Sequence, residues 1–208
     1  MKRVNIFVGR FQPFTAGHYK CVLEAKARTG LPTVICMMNI PESKLDKKHP
    51  FTTEMLVDLY SDLFRSDKNI ADVVPVASAD IVKIGQLLNS MGYEIAAWTC
   101  GSDRVDTYRR MSTNYHDQAG LSDDFELVEV MRDETSEENI SATKVRNCLL
   151  DDDRAGFDRM TPMGPNKDVL YNTLRRQIRK VYKLPERYYS SLERRVRILE
   201  KKLYRLMK

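Results

Sequence analysis

Short apolar runs alternate along the chain with longer segments whose apolar positions recur every three to four residues. The run 4–8 comes first and ends at Gly9; the runs 33–40, 73–77, 93–99 and 125–130 share its character, and each predicts a buried strand. Between them, 17–29, 52–65, 80–91 and 103–114 predict helices. In the first of these, Cys21, Val22, Ala25 and Ala27 supply one apolar face. Strands that alternate with helices of about 10 to 15 residues predict a parallel sheet covered on both faces. In a doubly wound sheet the ligand lies beyond the carboxyl ends of the strands, where strand order reverses. The loops that follow the strands are therefore where chemistry is to be sought.

Past Met160 the pattern changes. Thr161-Pro162-Met163-Gly164-Pro165-Asn166 is a break, and 169–182 then places Leu170, Leu174, Ile178 and Val181 on one helical face. Pro185 interrupts, after which Leu192, Val196, Leu199, Leu203 and Leu206 follow the four-and-three spacing of a coiled-coil seam about two heptads long. This divides the chain into a domain at 1–160, a linker at 161–168 and a helical extension at 169–208.

Charge sharpens the division. The net charge is +5, but residues 165–208 hold 14 basic and 4 acidic residues, and residues 1–164 hold 20 basic and 25 acidic ones. An acidic body carries a basic tail. The tail helices are expected to pack on the body or to join copies of the chain into a homo-oligomer. A nucleic-acid contact is the alternative, through Arg175, Arg176, Arg179, Lys180, Arg194, Arg195, Arg197, Lys201 and Lys202, with Tyr182, Tyr188 and Tyr189 interleaved for stacking.

At 42% hydrophobic and 30% charged residues the composition is that of a folded chain. No apolar run approaches the ~20 residues of a membrane span. The opening residues read as a strand and not as a leader. Four cysteines without a CxxC pair argue against a zinc site or a disulfide framework, and they fit the reduced thiols of a cytoplasmic protein.

Two segments carry candidate chemistry. Gly9-Arg10-Phe11-Gln12-Pro13-Phe14-Thr15-Ala16-Gly17-His18 joins the first strand to the first helix. Gly9 permits a sharp exit, Pro13 stiffens the loop, and Gly17 lets backbone approach a ligand. His18 falls in the first helical turn, where unpaired N–H groups and the positive end of the dipole attract an anion. In Ile140-Ser141-Ala142-Thr143-Lys144-Val145-Arg146, Ser141 caps a helix. The Thr143 hydroxyl and the free N–H groups there suit phosphate oxygens, and Arg146 offers a bidentate fork one turn on. A tight turn or a capped helix would explain either segment alone. Both, in this order within an alternating pattern, point to the phosphates of a nucleotide.

The first segment resembles the signature loop of the nucleotidylyltransferase superfamily, His or Thr, any residue, Gly, His. The second is similar to that superfamily's Ile-Ser-x-Thr-x-x-Arg element. The lead-in Gly9 to Phe14 looks like nicotinamide-nucleotide adenylyltransferases, whereas Thr15 is what phosphopantetheine adenylyltransferases carry. The resemblance runs from about Val4 to Met160 and leaves the tail uncovered. It implies an α/β, Rossmann-like doubly wound parallel sheet of about five strands, followed by the basic helical extension.

The activity it implies is transfer of an adenylyl group from ATP, carrying Mg²⁺, to a phosphate-bearing acceptor with release of pyrophosphate. Nicotinamide mononucleotide, giving NAD, is the leading acceptor. Phosphopantetheine adenylyl transfer or a cytidylyl transfer is the alternative within the class, and a scaffold acting through the basic tail is the alternative outside it. His18 and Thr15 would serve the α-phosphate, Ser141, Thr143 and Arg146 the β and γ phosphates, and Arg10 would be a second clamp. Gly9, Phe11 and Gly17 would complete the cradle.

Weaker matches lie elsewhere. Gly101-Ser102-Asp103 resembles a Gly-x-Asp turn facing the nucleotide, with Asp103 on a ribose hydroxyl or serving as a helix cap. His49-Pro50-Phe51-Thr52 is similar to an Asn-Pro-Phe-Thr stretch of the archaeal-type enzymes, and His49 is expected to cap and orient the next helix. Of Lys44, Lys47 and Lys48, one reaches a phosphate or all are solvated. Trp98 is expected in the core, with stacking on a ring as the alternative. Arg132, in Met131-Arg132-Asp133, would help enclose the site.

Overall fold

The computed structural model describes residues 1–130 and 140–184. Its elements are β1 (Lys2–Gly9), α1 (Ala16–Thr29), β2 (Thr33–Met38), one turn of 3-10 helix (Glu42–Lys44), α2 (Thr53–Leu63), β3 (Ile70–Val76), α3 (Ile81–Ser90), β4 (Tyr93–Gly101), α4 (Val105–Asn114), α5 (His116–Ala119), β5 (Leu121–Val130), α6 (Ala142–Asp151), α7 (Arg154–Met160) and α8 (Lys167–Val181). All five strands run parallel in the order β3-β2-β1-β4-β5. The chain winds outward from β1 to β3, then returns to the other side of β1, so strand order reverses between β1 and β4.

Register at the centre is fixed by one polar group. Asn5 on β1 is fully buried, donates to Thr33 Oγ1 on β2 (2.9 Å) and accepts from Thr99 Oγ1 on β4 (2.9 Å). A one-residue slip of either neighbour would strand half of that amide among apolar side chains, which is costly. Around it, one face of the sheet packs Phe7, Ile35 and Met37 against Val22 of α1, Leu56 of α2, Leu149 of α6 and Phe157 of α7. The opposite face packs Ile6, Val34 and Trp98 against Ile84 and Leu88 of α3, with Tyr108 of α4 alongside. Trp98 is wholly buried and stacks on Tyr108 with centroids 3.9 Å apart, so it is a core aromatic.

Strand and helix limits depart from the sequence pattern where polarity hides them. β5 begins at Leu121, four residues before the apolar run, because it is an edge strand that tolerates exposed Asp123 and Asp124. β3, the other edge, begins at Ile70 and carries Pro75, which only an edge accommodates. α4 starts at Val105 instead of 103. The short helices α5 and α7 lack the length that makes a period visible. Gly85 sits inside α3 for a steric reason: a Cβ there would lie 1.9 Å from the carbonyl oxygen of Ala119 on α5.

Residues 161–168 turn the chain from α7 into α8, and α8 closes the same core as the sheet. Leu170, Leu174 and Ile178 are buried in the cluster that holds Leu56 and Leu149. Its polar side docks as firmly. Tyr171 Oη donates to Asp152 (2.8 Å), Arg175 pairs with Asp152 (3.0 Å), and Lys167 donates to the carbonyl oxygens of Asp158 (2.8 Å) and Thr161 (3.2 Å). Part of the tail's positive charge is thus spent on the body. The seam from Leu192 to Leu206 lies outside the described residues, as do the cations from Arg194 onward. Among the described residues no helix is long and apolar enough to cross a membrane.

Leu174→Ala is expected to lower unfolding free energy by about 2–5 kcal/mol, as buried leucine truncations do, measured by urea denaturation. Gly85→Ala should destabilise by more than about 1 kcal/mol although alanine favours helices, because α5 must move; thermal unfolding of the variant checks it.

Candidate active site

The loop between β1 and α1 is held from three sides. Phe11 takes a positive φ of 44° and folds its ring back over the end of β1, where a Cβ on Gly9 would meet that ring at 2.8 Å. Gly9 is therefore required to make room for Phe11; a sharp strand exit is not the reason. Phe11 itself, expected at the nucleotide surface, is buried among Phe7, Phe14 and His18, with its centroid 5.1 Å from the His18 ring. Gln12 faces the other way. Its Nε2 donates to the carbonyl of Phe51 (2.9 Å) and its Oε1 accepts from the N–H of Phe51 (3.1 Å), a two-point clamp on the loop that precedes α2. Tyr60 of α2 donates to the Phe14 carbonyl (2.8 Å).

At the loop's end Thr15 is the N-cap of α1, and Thr15 and His18 form a reciprocal box. The His18 N–H donates to Thr15 Oγ1 (3.3 Å), and the Thr15 N–H donates to His18 Nδ1 (3.0 Å). A backbone amide only donates, so Nδ1 is the acceptor nitrogen and the ring's proton is on Nε2. The sequence spacing Thr-x-x-His thus fixes a tautomer as well as a helix start. Three aromatic rings surround this imidazole, with centroids from 5.1 to 6.2 Å away.

The second segment meets the first. Ser141 is the N-cap of α6, accepting from the N–H of Lys144 (3.2 Å). Gly17 faces the residue before it: a Cβ on Gly17 would sit 3.6 Å from the Ile140 carbonyl oxygen and 3.8 Å from Ile140 Cβ. One turn into α6, Arg146 is 9% exposed; its Nη1 donates to the Gln12 carbonyl (2.7 Å) and its Nη2 to Thr143 Oγ1 (3.0 Å). Burial pulls the Arg146 guanidinium below its ordinary pKa, opposed by the nearby Tyr182 and by the charge of Asp46. Thr143 is exposed at the front of this arginine.

The structure thus brings Thr15, Gly17, His18, Ser141, Thr143 and Arg146 together at the carboxyl end of β1. Gly101 ends the adjacent strand, two residues past Thr99, which pairs with Phe7. Asp103 is exposed and pairs with Arg104 (3.4 Å); it caps no helix, because the position before α4 is Arg104 and has no side-chain cap. His49 caps no helix either. Thr52 is the N-cap of α2, and His49 pairs with Asp46 (3.3 Å), whose carboxyl is held below its ordinary pKa chiefly by the N–H groups of His49 and Lys48. Arg10 and Lys44 are exposed, Arg10 on the first loop and Lys44 at the end of the 3-10 turn. Arg132 lies outside the described residues. Gln12 went unnoticed in the sequence because its work is to hold backbone, for which a glutamine between Phe11 and Pro13 carries no signal.

The profile of the cytidylyltransferase-like family matches residues 6–148. No curated protein matches the sequence. Two solved structures of a nicotinic acid mononucleotide adenylyltransferase from Plasmodium falciparum share the fold. The one complexed with NaAD has 12% identity, a TM-score of 0.50, and covers 83% of this chain and 95% of its own. The one complexed with APC has 11% identity, a TM-score of 0.50, and covers 86% and 98%. With the first loop and the start of α6 joined at one strand end and inside the matched span, the chain belongs to the cytidylyltransferase-like family and is a nucleotidyltransferase.

Proposed function

We propose that this enzyme transfers an adenylyl group from ATP to a phosphate-bearing acceptor, with nicotinamide mononucleotide as the leading acceptor and NAD as the product. The observation that carries the reading is the hydrogen bond from Arg146 to the Gln12 carbonyl (2.7 Å), which sets the two phosphate-binding segments side by side. The choice of acceptor rests on the first loop, Gly9 to Phe14, and is supported by the Plasmodium neighbours, which are nicotinic acid mononucleotide adenylyltransferases.

The reaction asks little covalent chemistry of the protein. An oxygen of the acceptor's phosphate attacks the α-phosphorus of ATP, the bond from that phosphorus to the bridging oxygen breaks, and pyrophosphate leaves with the electron pair. The attacking group is already anionic, so alignment and charge neutralisation are what must be supplied. His18, with its proton on Nε2, donates to the α-phosphate as negative charge builds there. Its orientation is fixed beforehand by the Thr15 N–H and by the rings of Phe7, Phe11 and Phe14. The α6 N-terminus, Thr143 and Arg146 hold the β and γ phosphates, and Arg10 is the second clamp. Hydroxyls, amides and a guanidinium suit phosphate oxygens, and among the described residues no cluster of three His, Cys, Asp or Glu side chains could hold a metal ion. Mg²⁺ enters as part of the triphosphate substrate, keeping phosphate oxygens and water as ligands.

His18→Ala should lower kcat by about 100-fold or more, the usual cost of removing one transition-state donor, while ATP still binds. Pyrophosphate release with ATP and a panel of phosphate acceptors measures it, and undiminished turnover with the preferred acceptor would remove His18 from this role. Chelation of Mg²⁺ should abolish pyrophosphate release, and added Mg²⁺ should restore it; turnover that persists in chelator would contradict a magnesium–nucleotide substrate.

A further inference from the structure

The sequence names Thr15 as a partner for the α-phosphate, yet the fold turns every polar atom of that residue inward. Thr15 is 1% exposed. Its carbonyl accepts from the N–H of Tyr19 (3.0 Å), its N–H donates to His18 Nδ1 (3.0 Å), and its Oγ1 accepts from the N–H of His18 (3.3 Å). Oγ1 also lies 3.0 Å from His18 Nδ1. The direction of this last bond follows from the others. Nδ1 takes the Thr15 amide hydrogen and so carries no proton of its own, which leaves the hydroxyl as the donor. The acceptor side of one imidazole nitrogen thus receives two hydrogens from the same residue.

A threonine hydroxyl has a single hydrogen, and here it is given to His18, so none remains for a phosphate oxygen. The position of the hydroxyl agrees: a Cβ on Gly17 would sit 3.5 Å from Thr15 Oγ1, which places the oxygen against the Gly17 backbone. What the two donors do together is fix a ring. The amide and the hydroxyl reach Nδ1 from different directions, and the bond made at one ring nitrogen determines both the proton and the aim of the other. We propose that Thr15 is a positioning residue and not a phosphate ligand: its hydroxyl and amide jointly hold His18 Nδ1, so that the Nε2 proton is aimed at the α-phosphate as charge builds there. This rests on the reading of His18 as the donor to that phosphate.

Thr15→Val keeps the shape and the amide and removes the hydroxyl, whereas Thr15→Ser retains both donors. In the full chain, with Mg²⁺, ATP and the preferred acceptor, the valine variant should lose about five- to tenfold in kcat, the scale of one hydrogen bond. Its KM for MgATP should change by less than about twofold, the split that marks an interaction felt only in the transition state. Calorimetry with an ATP analogue whose α–β bridge cannot be broken should give an unchanged affinity, and the serine variant should recover kcat. The chain has three histidines, so the ring nitrogens of His18 can be assigned by 15N NMR; the Nδ1 resonance should move in the valine variant and return in the serine variant. Loss of the helix cap should lower the valine variant's melting temperature by about 2–4 °C. Weaker binding of the analogue at unchanged kcat would make Thr15 a phosphate ligand and overturn the proposal. Loss of melting temperature alone would make it only a helix cap and overturn it as well. If the valine variant does not fold, the unaltered chain decides. A Thr15 hydroxyl hydrogen slow to exchange with water, with and without the analogue, bears the proposal out; one that exchanges freely, or is protected only when the analogue binds, overturns it. His18→Ala separates the two readings. If that variant keeps its turnover, the donor role of His18 fails and this proposal with it; if it loses turnover while the valine variant loses none, only the role of Thr15 fails.

Discussion

Arg146 reaches from the second turn of α6 to the main-chain carbonyl of Gln12 on the opposite segment, and the arrangement of both candidate segments depends on that bond. A guanidinium that is almost fully buried cannot be left without acceptors, so burial and bonding are one constraint. To satisfy it the first loop must present a carbonyl inward at residue 12. That requirement accounts for the loop's other features. With its carbonyl spent on Arg146, Gln12 has its side-chain amide left for Phe51, and Phe11 turns through a positive φ to tuck its ring over Gly9. The ring so placed is one of the three that fix His18. The geometry of the imidazole is therefore set, several steps away, by an arginine 128 positions later in the chain.

The basic tail changes meaning in this light. As a sequence its first helix looks detachable: it follows a Pro/Gly break, carries most of its neighbourhood's positive charge, and falls beyond the family resemblance. In the fold its apolar face closes the core over α2 and α6, while Arg175 and Lys167 are turned inward onto Asp152, Asp158 and Thr161. Contacts of this kind gain little net, because a half-buried cation gives up water to make them. Buried Leu170, Leu174 and Ile178, at roughly 1.5–3 kcal/mol apiece, are what seat the helix; the charged groups select its rotation and register.

The fold was legible because its signal is long-range and repetitive. Four strand-and-helix alternations leave few other architectures, and the interior runs of β1, β2 and β4 are apolar enough to declare themselves. Edge strands were truncated in the sequence pattern for the same physical reason that they are edges: Asp123, Asp124 and Pro75 are tolerable only where one side faces water. At the site, the residues expected to meet phosphate stood out, since Thr15, His18, Ser141, Thr143 and Arg146 fall in spaced motifs, and the fold brings them together. Those that act by holding backbone were not. Gln12 acts through the main chain of Phe51, and no local pattern announces a partner that far away. His49 and Asp103 failed as caps because the helices begin only after Thr52 and Arg104, three residues on and one residue on, and a helix start is decided by where the first turn fits against the sheet.

Electrostatics ties these threads together. Residues 1–164 carry more acid than base, yet the proposed ligands are among the most highly charged anions a small-molecule enzyme meets. The body's average field opposes them, so attraction must come from charges close at hand and poorly screened. Arg146 meets both conditions, and its depressed pKa is the mark of a cation held where water is scarce. An anion arriving there replaces lost hydration, so much of the desolvation cost, already incurred in folding, returns as binding. The guanidinium keeps its charge throughout, because even a lowered arginine pKa stays far above neutrality. What the surrounding structure controls is direction. A fork pinned by Gln12 and Thr143 gives a buried charge an orientation as well as a sign, and for transfer between two phosphates the orientation decides whether binding becomes chemistry.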